Sequence, residues 1–486
     1  MTYWGCRRTL LAGAALAAMT AMPARADDLR GALAQAYAGN PTLLAAREQL
    51  RALDAGVPLA RADSLPSVSV AATETEFVRQ SALSSYDMPR SLTVTGTASL
   101  SLYAGGAVRN AMKAANTRVI AGRGDLLSTE ANVFNQAVAA YLDVIRTDAI
   151  VALNKNQVKA LEVNLKATSD RFQIGDVTRT DVAQSQSRLA LAVGTLRNAE
   201  ASLVQARETY IQIIGKEPEA LSAPPPRPNL PATAEEAVAI ALGTNPDLTA
   251  ARERSKAAGF DTSAARASRL PKISLFADAG YTDYLNSLTY PAVPGYTLPQ
   301  SLNTGDVGIR ATIPLYQGGR PSAQIKQAQA REGQALDTEI ATERQVIANT
   351  RAAFSSFRAA KEVIDATKTA VEAAELSLKG VRAENGVGNR TVLDILNAEQ
   401  ELINAQVQLV TAERNAYVAG FTLLVAMGKG GAKDLGLDGG PLYDPTVHAR
   451  AARSEYTDWG GDTVQGAGKP TRTVDTKAQT GSTSAN

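Results

Sequence analysis

Side chains that could carry acid–base, nucleophilic or metal chemistry are scarce in this sequence of 486 residues. His448 is its only histidine and Cys6 its only cysteine. No Ser-His-Asp triad and no His-rich metal site can be recognised in the spacing of the remaining residues. The Gly-Gly-Arg at 318–320 is too short to cradle a phosphate. We therefore predict no catalytic, cofactor or metal site, and a protein that is not an enzyme.

The first 26 residues have the pattern of a signal peptide. Arg7 and Arg8 form a charged start, residues 10–22 are apolar, and Ala24-Arg25-Ala26 is a small-x-small cleavage site. The arginine pair also permits a twin-arginine signal, although a general secretory signal explains it equally well. Cleavage would remove Cys6, so we expect a cysteine-free mature chain.

Charge and hydropathy exclude two further classes. The chain has 50 basic and 48 acidic residues, a net charge of +2, and no basic patch, so a nucleic-acid partner is not indicated. Beyond the signal peptide no apolar run approaches the ~18 residues of a transmembrane helix. If the protein crosses a membrane, its strands must close into a barrel, since lipid cannot satisfy an open sheet edge.

The chain is a tandem duplication. LYAGG at 102–106 recurs as LYQGG at 315–319, an offset of 213 that also relates Gly175 to Gly388. Upstream the offset is 205, as for Asn40-Pro41 and Asn245-Pro246. We predict a first repeat at 27–216, a proline-rich connector at 217–232 and a second repeat at 233–429. The polar tail, 430–486, is predicted to be largely disordered.

Each repeat combines one β-hairpin with long helices. Residues 67–103 and 272–316 contain segments with period-two alternation, which suits a hairpin packed on a helix or strands in a membrane. A helix of about 35 residues (28–62) precedes the first hairpin, and a proline-free rod of roughly 100 Å follows it. A shorter helix, about 178–215, follows the turn at Gly175. The glycine pairs Gly105-Gly106 and Gly318-Gly319 mark where strand changes to helix.

The repeated helix–hairpin–helix unit, together with RFQIGDVTRTDV (171–182) and ENGVGNRTVLDILNAEQ (384–400), resembles the TolC family of outer-membrane efflux and secretion channels. The resemblance implies a mainly α fold with a β-barrel part: a homotrimer with a 12-stranded barrel in outer-membrane lipid and an α-helical coiled-coil tunnel in the periplasm. It also implies two partners, a periplasmic adaptor (membrane fusion) protein and an inner-membrane transporter, either ABC or proton-driven. LYDPTVHAR (442–450) resembles a tail of type I secretion members.

The resemblance also assigns a gate at the periplasmic end. Asp394 matches an acidic ring at the constriction, whereas Asn397 stands where the family often has a second aspartate. Crowding of three Asp394 carboxylates would raise their pKa values. The local alternative is an aspartate that stabilises a helix N-terminus.

Two sets of tip contacts follow from the same match. Arg390 corresponds to an arginine that links the two tip hairpins, with Thr180 and Asp181 as its partners. Asn385 replaces a tyrosine that provides a second link. The turns predicted to meet the adaptor are Ile174-Gly175-Asp176 and Val387-Gly388-Asn389, although glycine also suits a turn without any partner.

We therefore predict the outer-membrane channel component of a tripartite efflux or type I secretion system in a Gram-negative bacterium. It would be a passive exit duct for drugs or proteins, gated at its periplasmic tip. A soluble periplasmic coiled-coil adaptor or scaffold is the alternative, which suits the long helices but not the hairpins.

Overall fold

The fold is mainly helical and places one small sheet at the end of long helices. A computed structural model of the chain describes residues 28–79, 87–226, 230–289, 295–437, 442–454, 456 and 458–459. The predicted signal peptide lies outside the described residues. Within these ranges no helix combines the length and the apolar character needed to cross a membrane.

The two repeats contain the same elements in the same order. The first repeat consists of α1 (Leu29–Gly39), α2 (Pro41–Ala62), β1 (Ser67–Glu76), β2 (Arg90–Tyr103), α3 (Ala107–Gln173) and α4 (Arg179–Ile214). The second consists of α5 (Ala234–Thr244), α6 (Pro246–Arg266), β3 (Lys272–Asp283), β4 (Ser301–Thr312), α7 (Arg320–Gly386) and α8 (Val392–Ala426). A final helix, α9 (Pro445–Ser454), lies in the tail.

The helix predicted at 28–62 is in fact two helices that meet at Asn40. Proline disfavours the helical conformation in the residue before it, and Asn40 is extended, with φ −67° and ψ 122°. Its side-chain oxygen accepts hydrogen bonds from the N–H groups of Thr42 and Leu43, which caps α2. Its amide Nδ2 donates to the Ile213 carbonyl at 2.9 Å, at the end of α4. The short helices α2 and α4 are thereby joined alongside α3.

The two hairpins join into a single antiparallel sheet of order β1-β2-β3-β4. The register places Val68, Ala98, Ala277 and Val307 in one row across it. The adjacent row, Ser69, Thr97, Asp278 and Asp306, is polar and points to the other face. The alternation predicted from the sequence therefore gives one apolar and one polar face.

The main core lies midway along the helices, where both repeats meet. Tyr141 and Phe134 of α3, Tyr210 of α4 and Leu423 of α8 are fully buried there. The Tyr141 hydroxyl donates to the Ser222 carbonyl at 2.8 Å, so the connector is fastened to the same core. Such a core holds the long helices side by side, and smaller apolar clusters pack nearer to the two ends of α3.

The described part of the tail is ordered against the first repeat. Helix α9 packs on α2, and His448 Nδ1 lies 3.4 Å from a carboxylate oxygen of the buried Asp54. The N–H of Tyr443 donates to the Tyr37 hydroxyl at 2.9 Å. The prediction of a largely disordered tail does not hold for 442–454, because apolar and aromatic side chains within this polar segment contact α1 and α2.

Candidate functional site

The first tip turn, between α3 and α4, is closed by a local ion pair. Gly175 has φ +80°, a left-handed conformation that glycine adopts without strain. Arg171 Nε lies 2.6 Å from Asp176 Oδ2 and ties the end of α3 to the turn. Ile174 is 80% exposed at the extreme end. The turn thus presents an apolar side chain to the outside.

The second tip turn, between α7 and α8, repeats this geometry with its charges exchanged. Gly388 has φ +82°, and Val387 is 74% exposed beside it. Glu384, at the position of Arg171, accepts from Arg390 Nε at 2.7 Å, and its carbonyl accepts from the Asn389 N–H at 3.0 Å. Asn385 Nδ2 donates to the Arg390 carbonyl at 2.7 Å. Arg390 and Asn385 therefore form hydrogen bonds within their own turn, between α7 and α8.

Both helices that leave the tips begin with a capping box. Thr178 and Asp181 bond reciprocally at the start of α4, and Thr391 and Asp394 do so at the start of α8. Hydrogen bonds from the Thr391 N–H and hydroxyl lower the pKa of Asp394. The side chain and backbone of Thr178 likewise lower the pKa of Asp181. Within a single chain these hydrogen bonds determine the direction of the pKa shift. That direction is opposite to the one expected from three crowded carboxylates.

The link predicted between Arg390 and Thr180 or Asp181 is not formed among the described contacts of this chain. Arg390 reaches Glu384, six residues earlier, and Asp181 is occupied by Thr178. Thr180 is exposed in the first turn of α4. Arg390 and Asp181 each have a partner only a few residues away in sequence. Pairing with such a partner does not require the closure of a long loop.

A side-chain hydrogen bond between α4 and α8 involves a residue that the sequence analysis did not identify. Arg188 of α4 donates from Nη2 to Asn397 Oδ1 of α8 at 2.8 Å. Asn397, which the sequence predicted at the constriction, is exposed on the second turn of α8. No short-range pattern marks Arg188, because the two residues are 209 positions apart.

Between α3, α7 and α8, just above the tips, lies an open cavity of about 530 Å³. Arg171, Arg382 and Lys159 line it, together with the buried Glu399. Arg382 Nη2 contacts Glu399 Oε1 at 2.8 Å, which partly neutralises that carboxylate. Among the described residues, no group of three or more His, Cys, Asp or Glu side chains has the arrangement of a metal site.

At the other end, the glycine pairs turn each hairpin into its long helix. Gly105 and Gly106 have φ +64° and +84°, and Gly318 and Gly319 have φ +62° and +78°. A Cβ at Gly105 would lie 2.8 Å from Leu270 Cβ, so this joint also needs glycine for space. The predicted strand-to-helix turns are therefore present in both repeats.

The chain thus contains two repeats of strands and long helices, and a local ion pair closes each tip turn. Comparison with known proteins places it in a family. The family model described as outer membrane efflux protein matches residues 32–216 and 237–429. The chain belongs to this family. The resemblance to TolC proteins, the outer-membrane location and the class of efflux or secretion channel are thereby confirmed.

Individual relatives agree with this membership. The chain is similar to the outer membrane efflux protein BepC of Brucella suis, with 33% identity over 460 residues, 92% of this chain and 94% of that protein. It is 27% identical over 308 residues to the outer membrane protein TolC of Escherichia coli, 62% of each chain. The fold is similar to that of the outer membrane protein VceC of Vibrio cholerae, with TM-score 0.69 and 24% identity, over 82% of this chain and 96% of that one.

Proposed function

We propose that three copies of this chain form a passive exit duct across the outer membrane. The observation that carries this proposal is the sheet, which ends in two edge strands whose apolar side chains are exposed. Val68 and Val70 of β1 are 75% and 72% exposed, and Val307 and Ile309 of β4 are 75% and 68% exposed. In lipid such edges must be paired, because no water is present to bond them.

The strand order supports closure by further copies of the same chain. The strands alternate in direction from β1 to β4, so β4 of one copy can pair antiparallel with β1 of the next. Two copies would supply eight strands, close to the number whose interior side chains fill, whereas three would supply twelve and leave a lumen. The polar face of the sheet would line that lumen and the apolar face would contact lipid.

The tip is the proposed gate and the proposed docking end. Three Asp394 carboxylates near one axis would attract cations at a narrow point, with Asn397 beside them. The exposed Ile174 and Val387, each next to its turn glycine, offer apolar contacts to a periplasmic adaptor. An inner-membrane transporter would supply the energy for export.

Fractionation and conductance test the proposal. The protein should appear in the outer membrane as a detergent-resistant trimer, and it should conduct ions in planar bilayers. A monomer in the soluble periplasmic fraction would contradict the duct and favour an adaptor or scaffold.

The transported substrate is tested by deletion. Loss of a secreted protein with unchanged drug tolerance would assign the protein to type I secretion, whereas drug sensitivity with an unchanged secretome would assign it to efflux.

A further inference from the structure

The bonds nearest the tips stay within their own hairpins. We call the ends of α3 and α4 tip hairpin 1 and the ends of α7 and α8 tip hairpin 2. Arg171–Asp176 and the Asp181 capping box lie within the first. Glu384–Arg390 and the Asp394 capping box lie within the second. These bonds determine the shape of each turn, but they do not hold one hairpin to the other.

Among the residues described at this end of the chain, one side-chain hydrogen bond crosses between the hairpins. It runs from Arg188 Nη2 to Asn397 Oδ1, at 2.8 Å. Arg188 lies in the third turn of α4 and Asn397 in the second turn of α8, so the bond lies just above the proposed constriction at Asp394.

An apolar cluster supports this bond from the side. Leu396, next to Asn397, is 1% exposed and packs with Leu161 of α3 and Val392. Leu189, next to Arg188, packs against the same cluster. The bond itself is exposed, but it lies at the edge of this apolar contact between the hairpins, which holds both side chains at the right height.

We infer that the Arg188–Asn397 hydrogen bond is the latch that keeps the two tip hairpins together in the closed state. The inference rests on the proposed function, because it assigns the regulation of the proposed gate. Arg188 acts as a positioning residue: it fixes α8, and with it Asp394, relative to α4. Separation of the hairpins must break this bond once in every copy, whereas Glu384–Arg390 can persist unchanged.

The chemistry of the pair predicts how it responds to substitution. The guanidinium is charged and the asparagine is not, and the bond is exposed, so its loss should change the equilibrium between closed and open hairpins about fivefold per copy. Asn397→Asp keeps the shape and adds a second charge, which converts the bond into a stronger ion pair with Arg188. Arg188→Lys keeps the charge but not the planar geometry, and should restore only part of the closure.

Single-channel recording of the purified full chain tests the latch. We expect Arg188→Ala and Asn397→Ala each to raise the open fraction at least fivefold. The double variant should exceed neither single variant, because both remove the same bond. Asn397→Asp should lower the open fraction below wild type. Arg197→Ala is the matched control, because Arg197 is an α4 arginine whose partner Glu200 lies on the same helix.

The competing assignment of the latch to Arg390 gives the opposite result. An open fraction raised by Arg390→Ala and unchanged by Arg188→Ala would overturn the inference. Additive effects of Arg188→Ala and Asn397→Ala would overturn it as well, since independent sites add.

A distance measurement separates failure of the latch from failure of the duct. Spin labels at Ile174→Cys and Val387→Cys, in chains diluted with unlabelled copies, report the separation of the hairpins within one chain without any need for conduction. Arg188→Ala should broaden this distance distribution and Arg197→Ala should not. Absence of conductance in wild type, with broadening present, would refute the duct; normal conductance with no broadening would refute the latch alone.

Discussion

Helices α3 and α7 have the same length and occupy the same place in their repeats, yet they are packed very differently. Both have 67 residues. Twenty-four residues of α3 are buried, against five of α7. Helix α3 contacts α1, α2, α4, α6 and α8, whereas α7 contacts α5, α6 and α8. The two repeats therefore share their elements but not their packing. Helix α3 is surrounded by other helices of the chain, whereas α7 lies at the edge of the chain.

A second difference is that the tail contacts the first repeat. Arg47 lies 4.5 Å from the ring centre of Tyr37 and 5.1 Å from that of Tyr443, which belongs to the tail. Its counterpart Arg252, 205 residues later, has Glu343 as an ion-pair partner at 3.5 Å. Both arginines are half-buried, but Arg47 contacts an aromatic ring of the tail where Arg252 has an ion pair.

The acidic partners of these arginines differ in the same way. Glu130, the counterpart of Glu343, is buried and accepts a hydrogen bond from the Ala432 N–H at 2.5 Å. Burial raises the pKa of Glu130, against the lowering effects of that bond and of Arg47. The first repeat thus contains a desolvated carboxylate that fastens the start of the tail.

The largest expected difference between the repeats concerns Tyr141 and its counterpart Phe354. Tyr141 is fully buried and Phe354 only partly. Tyr141→Ala should destabilise the chain by about 3–5 kcal/mol and Phe354→Ala by clearly less, because the cost of truncation follows the cavity left behind. Denaturant unfolding followed by far-ultraviolet circular dichroism measures both. Equal losses would show that an assembled neighbour covers α7 as fully as the chain covers α3.

A smaller difference is expected for the arginine pair. Arg47→Ala should cost about 1–2 kcal/mol, since it removes stacking on two rings as well as a hydrogen bond to the Tyr37 carbonyl. Arg252→Ala should cost about 0.2–1 kcal/mol, because its ion pair with Glu343 is exposed and its hydrogen bond to the Leu242 carbonyl is long, at 3.4 Å. Unfolding at low and high salt separates the two: the Arg252 contribution should fall as salt rises and that of Arg47 should persist. Equal salt dependence would refute the assigned roles.

The smallest predicted effect is a loss of stability at low pH in the first turns of α4 and α8, and both repeats share it. The pKa values of Asp181 and Asp394 are lowered by their capping boxes. A lowered folded-state pKa means that their stabilisation is present above the unfolded pKa and is lost as pH falls through the folded pKa. Hydrogen exchange should therefore become faster, relative to the intrinsic rate, in the first turns of α4 and α8 below about pH 4. Protection that is unchanged by acid would refute this role.

Features set by neighbouring residues could be predicted from the sequence. The glycine pairs, the long helices and the alternating strands follow from local conformational preferences, and the structure contains them near the expected positions. The break at Asn40 also has a local signal, since Asn-Pro disfavours helix, although the composition of 28–62 predicts one continuous helix. Glu384 is close enough in sequence to pair with Arg390, whereas the family resemblance predicts a partner on the other hairpin.

Features that depend on distant packing could not be predicted. Arg188 and Asn397 meet because Leu396 is buried between helices far apart in sequence, and no spacing rule encodes that approach. The order of the tail segment similarly depends on Tyr37 and Asp54, about 400 residues away. Polar composition alone indicated disorder, because composition carries no information about an existing surface.

The asparagine at each helix break has a mechanical consequence. Asn40 and Asn245 each cap the helix that follows and also donate to the last turn of another, at Ile213 and Ala426. Each side chain therefore joins two half-length helices end to end, and in the second repeat the Thr244 hydroxyl adds a bond to the Met427 carbonyl at 2.6 Å. A weaker junction would let the membrane half and the tip half of each such helix pair twist more independently.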